Sequence, residues 1–461
     1  MGLLTQVNGT PIFVRWVLLT LASASTATWC VHASHDAIGG QLAAVIVLSL
    51  VNFCLIIWVA WDKAFDGLTS SQLLFTATVL GLIGMLTQPL LEDDHFRYLW
   101  DGYITATSGK PFAFAPSHYF ENNAVPAAMR EVLNGINNPE IPTIYGPVLQ
   151  ALFAFCYWIS PADLRPFKGI LLIATAITLL LLRSAEISPR WLLLFTLHPL
   201  VLKESAITAH PDLLIGVVLL AAVLAWQRGL EGWAAALVCV AVAMKFSAAA
   251  ALPLFCINRS GRWSARGSGA IVLTLSVLYA PVLASLSGGE RRALSAFGEQ
   301  WTFNPLIFKL ASAWLGDGVA RWVCLALFVL VWLIFFGHWV VRLRLFSHTA
   351  SIGTLSTTPG VASPVPPVVG VFVAMLLLSP VVNPWYWLWV LPLALLHFSV
   401  LTWAAASVSL LAYAHVATQV LAGSSIITYI VPLWASGVQM LVIALVVALT
   451  FALERRYRCW L

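Results

Sequence analysis

One stretch of the sequence, 91–103, reads Leu91-Glu92-Asp93-Asp94-His95-Phe96-Arg97-Tyr98-Leu99-Trp100-Asp101-Gly102-Tyr103. It follows directly on an apolar run, 73–91, that is long enough to cross a bilayer. Three acidic residues are therefore expected where a membrane helix meets water, and an aromatic and basic segment with helical spacing continues from them. Carboxylates held at a membrane surface beside such a segment suit chemistry on a polar substrate that is linked to a lipid.

The composition of the chain indicates a membrane protein. Of its 461 residues, 60% are hydrophobic and 9% are charged, whereas a soluble globular protein carries about 25% charged residues. Together with many long apolar runs, this predicts an all-α, polytopic integral membrane protein that forms one domain over 1–461. The net charge of +5 does not indicate nucleic acid, because the basic residues occur singly or in small groups at helix ends. We predict about 12 transmembrane helices, at 12–32, 41–61, 70–91, 145–160, 167–182, 211–226, 268–287, 319–341, 367–382, 385–399, 402–421 and 431–453.

Two further apolar segments, 191–202 and 233–257, are predicted to be re-entrant or broken. The second has Lys245 near its centre and Pro253 further on, while the first is short and is followed by charged residues. Irregular backbone at membrane depth is tolerated only where it lines a cavity. An ordinary tilted span remains the alternative for 233–257.

The distribution of arginine predicts the orientation of the chain. Basic groups at 259–266, 342–344 and 455–458 mark the cytoplasmic side. The loops 92–142 and 288–318 and the break at Asn383-Pro384-Trp385 then fall outside. The segment 342–366, rich in Ser, Thr, Gly and Pro, is predicted to be a flexible cytoplasmic loop.

The external loop 92–142 contains two segments with apolar residues at helical spacing, one beginning near Phe96 and one ending near Ile136. Both are predicted to be amphipathic helices that lie in the membrane interface.

Asp93 and Asp94 are the first candidates for chemistry. Adjacent carboxylates repel, so one of them could serve as a general base, or the two could hold a cation jointly. The alternative is a solvated loop in which Arg97 pairs with Asp94 or Asp101. Mg²⁺ or Mn²⁺ would suit these oxygen ligands, but they are too few to establish a metal site.

The stretch 93–102 resembles the DD-x-x-RYLWDG signature of bacterial membrane glycosyltransferases of the GT-C superfamily, in the mannosyltransferase-like branch that uses polyprenyl-phosphate sugars. The resemblance continues through Gly109-Lys110-Pro111-Phe112 and through 137–147, Asn-Asn-Pro-Glu-Ile-Pro-Thr-Ile-Tyr-Gly-Pro. Weaker similarity extends over most of the chain. The sequence departs from the pattern at Gly146, where proline is expected, and at Asn138, where histidine is common.

This resemblance implies an enzyme of the bacterial inner membrane, multi-pass, with its active site on the extracytoplasmic face. It implies transfer of a hexose, expected to be mannose in this branch, from a polyprenyl-phosphate carrier to a glycan or glycolipid acceptor of the cell envelope. The reaction is an inverting single displacement. An acidic residue of the motif deprotonates the acceptor hydroxyl, with Asp94 as the expected base and Asp93 as the second candidate.

Further polar and aromatic residues are predicted to bind substrate. An intramembrane lysine is costly, so Lys245 is a candidate for the leaving phosphate, and its alternative is snorkelling or pairing with Glu204 or Asp212. Lys203, Glu204, His210 and Asp212 could instead form an ion-pair network at the ends of a broken helix. Aromatic and amide groups on the external loop and at the Pro384 break suit a sugar pocket, or else an interfacial aromatic belt. The full set of predicted binding residues is Arg97, Tyr98, Tyr145, Lys203, Glu204, His210, Asp212, Lys245, Trp301, Asn304, Trp385 and Tyr386.

Two other classes of function remain open from the sequence. One is a transporter or flippase for a lipid-linked or polar solute, with the intramembrane charges as its pathway. The other is a non-catalytic subunit of envelope polysaccharide assembly. No second His or Cys lies at metal-ligand spacing from His210, so no zinc site is expected.

Overall fold

The structure, a computed structural model, describes residues 10–284, 301–351, 364–396, 399–421 and 430–457. Within these ranges the chain is helical, and its only extended pairings are two isolated bridges. The α-helices before the middle of the chain are α1 Ile12–Ala33, α2 Ile38–Trp61, α3 Ser70–Leu86, α4 Asp94–Ser108, α5 Ala127–Asn134, α6 Pro147–Ile159, α7 Arg165–Ser184, α8 Pro189–Leu197, α9 Asp212–Gln227 and α10 Glu231–Met244. Those that follow are α11 Ala265–Ala284, α12 Ile307–Leu315, α13 Asp317–Ser351, α14 Val368–Leu378, α15 Val400–Ser409, α16 Ala414–Leu421 and α17 Leu433–Tyr457.

Within the part of the chain that the structure describes, six helices are long and apolar enough to cross a membrane by length and composition, at Ile12–Ala33, Ile38–Trp61, Arg165–Ser184, Asp317–His348, Val400–Ala417 and Leu433–Thr450. A π-helix, Val201–Ile207, joined to α9 would form a seventh span that bends by 108°. Shorter apolar helices of 10–17 residues account for further predicted spans. The prediction of an all-helical polytopic membrane protein is therefore confirmed.

The helices break where the sequence predicts irregular backbone. α10 ends at Met244, Lys245 is extended, and a 3-10 helix that contains Pro253 follows over Phe246–Cys256. α8 likewise ends at Leu197, before the π-helix. An intramembrane charge and a proline interrupt these runs because neither fits an uninterrupted apolar helix.

The structure also differs from the sequence-based boundaries. In the segment 385–399, which is predicted to span, the described residues 385–396 form short 3-10 helices, Pro384–Trp389 and Leu393–Leu395, and are largely buried. α13 continues through 342–351, which the sequence assigns to the cytoplasmic loop, and Leu343 within it is fully buried. The remainder of that loop, 352–363, lies outside the described residues.

The chain divides into two compact units, which we describe separately. The first consists of the described parts of 1–92, 165–210 and 413–428, and the second of those of 93–164, 211–412 and 429–461. In the first unit, the end of α3 is held by Lys168, whose Nζ donates to the carbonyl oxygens of Gly84 at 2.8 Å and Thr87 at 2.5 Å. This contact satisfies carbonyls that the end of a helix leaves without a partner.

In the second unit, α4 and α5 bury their apolar faces against each other. Trp100 and Ile104 of α4 join Met129, Val132 and Leu133 of α5 in one buried cluster. The two amphipathic segments predicted from the sequence are therefore real helices that cover each other. Their place in the membrane interface stays a prediction.

Candidate active site

Asp93 and Asp94 form the start of α4, and one amide group holds both of them. Asp94 is the first helical residue, where the partial positive charge of the helix N-terminus favours a carboxylate. The Nδ2 of Asn137 donates to Oδ1 of Asp93 at 2.5 Å and to Oδ1 of Asp94 at 3.4 Å. Both acids are partly exposed. Asn137 thus joins two adjacent carboxylates and makes the shorter bond to Asp93.

The loop that carries Asn137 is fixed by Arg97 of α4. Its guanidinium donates to the carbonyl oxygens of Ile141 at 2.9 Å and Asn138 at 3.1 Å. Asn138 has φ +48°, a left-handed conformation in which Asn and His are both enriched, so this departure from the family pattern preserves the loop conformation. Arg97, predicted to bind phosphate or to pair with an acid, therefore has two of its donors on the loop.

Asp101, one α-helical turn or more further along α4, is a buried supporting group. Its Oδ2 accepts hydrogen bonds from the hydroxyl of Thr143 at 2.5 Å and from Nε2 of Gln150 at 3.0 Å. Burial raises the pKa of Asp101, while nearby Arg97 and these two donors oppose the rise. This carboxylate ties α4 to the start of α6 and is not open to substrate.

Asp94 has the protonation behaviour of a general base. Burial, and after it the negative charge of Asp93, raise its pKa to about 6. The hydrogen bond from Asn137 and the positive charge of Lys245 oppose the rise. A carboxylate with a pKa near neutrality combines ionisation at pH 7 with greater basicity than an ordinary aspartate.

Lys245, at the break after α10, lies in a cage of one acid and two aromatic rings. Its Nζ is 3.1 Å from Oδ1 of Asp212, 4.1 Å from the centre of the Tyr386 ring and 5.2 Å from that of Trp389. The indole Nε1 of Trp389 donates to the same Asp212 oxygen at 2.6 Å. The pairing with Asp212 is one of the two that the sequence allows. The carboxylate and the ring faces favour the ammonium form.

A backbone contact joins the segment just before α6 to the end of α10, next to Lys245. The N–H of Gly146 donates to the carbonyl oxygen of Met244 at 3.0 Å. A Cβ on Gly146 would lie 2.3 Å from the carbonyl oxygen of Ala243. The second departure from the family pattern therefore permits a close approach between the loop before α6 and the residue preceding Lys245.

Tyr98 and Tyr145, both predicted to bind substrate, form an aromatic layer beside Asp94. Their ring centres are 5.3 Å apart, and Tyr98 stacks on Phe153 at 5.2 Å. Both are buried, and the charge of Asp94 acts on both hydroxyls. Burial raises the pKa of Tyr98 well above its usual value, so its hydroxyl stays protonated.

Lys203, Glu204 and His210 form a separate cluster in the first unit. Lys203 Nζ lies 3.3 Å from Oε2 of Glu204 and donates to the hydroxyl of Tyr413, which in turn donates to Oε1 of Glu204 at 2.9 Å. Nε2 of His210 is 3.5 Å from Glu204. All of these side chains are buried. This arrangement is the ion-pair network that the sequence offers as an alternative to substrate binding.

The aromatic and amide candidates of the C-terminal half have unlike environments. Asn304 is buried and exchanges two hydrogen bonds with the amide of Gln439, at 3.2 and 3.0 Å. Trp301 contributes its carbonyl oxygen to Arg321 at 3.1 Å. Trp385 is buried edge-on to Tyr386, with ring centres 6.1 Å apart. Tyr386 is the member of this group whose ring faces the ammonium of Lys245.

The sequence did not single out three residues that complete these clusters: Asn137, Trp389 and Tyr413. Asn137 is the first residue of the family-like block 137–147, and that resemblance was the available signal in the sequence. Trp389 and Tyr413 are 177 and 210 residues from the groups they bond, so neither spacing nor a motif identifies them.

One oxygen of each carboxylate in the acid pair accepts a hydrogen bond. Mg²⁺ and Mn²⁺ prefer several oxygen ligands, but here an N–H donor faces Oδ1 of both carboxylates. No group of three or more His, Cys, Asp or Glu suited to a metal occurs among the residues that the structure describes.

Comparison with known proteins places the chain in a family. A family model described as alpha-(1->6)-mannopyranosyltransferase, N-terminal domain, of the MptA_B family, matches residues 16–259, more than half of the chain. The match includes the acid pair, Asn137, Asp212 and Lys245. No curated protein and no solved structure matches the chain. The chain therefore belongs to the MptA_B family of GT-C-like mannosyltransferases and is a multi-pass membrane glycosyltransferase.

Proposed function

We propose that the protein transfers mannose from a polyprenyl-phosphate carrier to a hydroxyl of a glycan or glycolipid acceptor, with inversion at the anomeric carbon. The observation that carries this proposal is that a partly exposed carboxylate at a helix start, Asp94, and the partly buried ammonium of Lys245 are near enough for the lysine charge to act on the acid. A single displacement at a sugar phosphate needs one base and one cationic group.

In the proposed reaction, Asp94 accepts the proton of the acceptor hydroxyl. The hydroxyl oxygen forms a bond to the anomeric carbon while the bond from that carbon to the phosphate oxygen breaks. The lipid phosphate leaves with the electron pair, and the ammonium of Lys245 stabilises its negative charge. Asp212, Tyr386 and Trp389 hold this ammonium in place.

The location of the reaction belongs to the same proposal. By the positive-inside rule, the arginine groups at 259–266, 342–344 and 455–458 favour the cytoplasmic side. This supports a placement of Asp93 and Asp94 on the opposite side of the membrane. The active site would then face away from the cytoplasm of a bacterial inner membrane, where a polyprenyl carrier presents its sugar in the plane of the interface.

The test is transfer of labelled mannose by the purified full-length protein in lipid vesicles. We expect labelled product from polyprenyl-phosphate mannose and none from a nucleotide-activated mannose. The anomeric configuration of mannose in the product should be opposite to that in the lipid donor. Transfer only from the nucleotide-activated sugar, or retention of configuration, would contradict the proposal.

A lysine variant tests the leaving-group role in the same assay. Lys245→Met should lower turnover of the lipid donor by about 10²–10³-fold, the usual loss when one electrostatic donor is removed from a developing charge. Lys110→Met, which removes an exposed lysine of the external loop, is the matched control and should leave turnover unchanged. Equal turnover in both variants would remove Lys245 from the mechanism.

A further inference from the structure

Two adjacent carboxylates at one helix end need a partner that relieves their mutual repulsion. A divalent cation is one such partner, and an N–H₂ group with two hydrogens is another. In this protein the side-chain amide of Asn137 points both of its possible donors at the pair, 2.5 Å from Asp93 and 3.4 Å from Asp94.

We infer that the amide of Asn137 takes the place between Asp93 and Asp94 that a divalent cation would otherwise fill, so that Asn137 is a positioning residue and transfer is independent of Mg²⁺ and Mn²⁺. This inference deepens the proposed function and rests on it for the role of Asp94 as the base.

The position of the amide is set by the surrounding chain. Arg97 holds the carbonyl oxygens of Asn138 and Ile141, and the carbonyl oxygen of Pro139 accepts from the N–H of Ser117 at 2.8 Å. The loop is thus attached at three of the four residues 138–141 that follow Asn137. A fixed neutral donor can orient both carboxylates without the ligand exchange that a cation requires.

The charge of Lys245 also bears on a cation at this carboxylate. Lys245 acts on Asp94 with its positive charge and would repel a divalent ion there, while the negative charge of Asp212, which pairs with Lys245, acts in the opposite sense. An N–H donor adds no net charge to the site, so Lys245 can direct its field to a phosphate instead.

The unequal distances give the two acids different roles. Asp93 accepts the short bond and is the acid more firmly oriented, while Asp94 accepts a long bond and keeps more of its basicity. The hydrogen bonds of Asn137 therefore give Asp93 and Asp94 different environments, although the two acids are adjacent in the sequence.

Binding of Mn²⁺ provides a test that does not depend on activity. Electron paramagnetic resonance of Mn²⁺ with the full-length protein should reveal no site that depends on Asp93 in the wild type. Asn137→Asp supplies a third carboxylate in place of the donor and should create a Mn²⁺ site that is lost when Asp93→Asn is added. Asn123→Asp makes the same charge change at an exposed residue of the same loop and should create none.

Transfer assays complete the test. Wild-type turnover should be equal in EDTA and in Mn²⁺, whereas Asn137→Asp should be inactive in EDTA and regain activity with Mn²⁺. Asn137→Ala should be slower, should lose activity at a higher pH than the wild type on acidification, and should not be rescued by Mn²⁺. Three outcomes would each overturn the inference. The first is a Mn²⁺ site at Asp93 in the wild type, and the second is loss of wild-type transfer in EDTA with recovery in Mn²⁺. The third is an Asn137→Ala variant with the rate and pH profile of the wild type. A wild type that transfers no mannose would refute the proposed function, while the Mn²⁺ comparison would still decide whether the amide replaces a cation.

Discussion

The two buried lysine–acid pairs of this protein show how similar residues can differ in accessibility. The side chains of Lys203 and Glu204 are both 0% exposed and bond to Tyr413, on whose hydroxyl the carboxylate of Glu92 also acts. The side chain of Lys245 keeps 12% exposure beside Asp212, and its charge acts on a carboxylate, Asp94, that is itself partly exposed. A closed network, with its lysine and acid fully buried, must give up an existing contact before it can meet a ligand, whereas a partly exposed one can meet substrate directly.

This contrast separates candidates that the sequence treats alike. Charged residues within apolar runs are costly and therefore suggest function, but a buried network of ion pairs and hydrogen bonds offsets part of the same cost by its own internal bonds. Remaining exposure and a neighbouring reactive group are the features that distinguish the Lys245 region from the Lys203 region.

The largest expected effect is the loss of turnover in Asp94→Asn. The amide keeps the size of the carboxylate but cannot accept the proton, so turnover should fall by about 10²–10⁴-fold. Thermal unfolding should be unchanged, because Asp94 is partly exposed and is not part of a closed network. The measurement is mannose transfer together with the melting curve of the same preparation. Near-normal turnover in Asp94→Asn with severe loss in Asp93→Asn would transfer the role of base to Asp93.

The closed network should respond in the opposite manner. Lys203→Met leaves Glu204 buried without its cation, which typically costs about 3–5 kcal/mol of folding free energy. Unfolding in detergent micelles should show this loss, and the double variant Lys203→Met with Glu204→Gln should recover part of it, because no unpaired charge remains. Wild-type stability with abolished transfer in Lys203→Met would instead support the substrate-binding role predicted from the sequence.

A smaller effect is expected at the contact between Gly146 and the end of α10. The Cβ of Gly146→Ala would lie 2.3 Å from the carbonyl oxygen of Ala243, and overpacking of this kind usually costs about 1–3 kcal/mol. Because Met244 precedes Lys245, the KM for the lipid donor should also rise. Gly269→Ala, where a Cβ meets nothing within 4 Å, is the control and should change neither quantity. Unaltered KM in Gly146→Ala would show that the contact does not position Lys245.

The smallest expected effect is a change in the pH dependence of turnover. Asp94 is active as the carboxylate, so turnover should decline as the pH falls through its pKa of about 6. Asp93→Asn removes the negative charge that raises this pKa, so the decline should move to lower pH. Lys245→Met removes a charge that lowers the pKa, so residual turnover should decline at higher pH. Profiles that coincide in all three proteins would assign the acidic limb to another group.

The sequence predicts local features of the fold better than it predicts contacts. Apolar runs and their interruptions identify most helices and the break at Lys245, because both depend on neighbouring residues. The motif identifies Asp93 and Asp94 because its residues are contiguous. The partners Trp389 and Tyr413 come from distant segments, and the choice of Asp212 over Glu204 as the partner of Lys245 depends on tertiary packing that no local pattern encodes. The span predicted at 385–399 fails for a related reason, since an apolar composition does not distinguish a buried irregular segment from a helix.

The hydrogen bond between Gly146 and Met244 has a consequence for how this chain can evolve. Gly146 has φ −73°, which a proline could adopt. A proline there would nevertheless have no N–H for the carbonyl of Met244, and its ring carbons would collide with the carbonyl of Ala243. A carbonyl without a donor is costly in an apolar environment. Reversion to the proline of the family pattern therefore requires a compensating change at the end of α10, and positions 146 and 243–244 should covary among relatives.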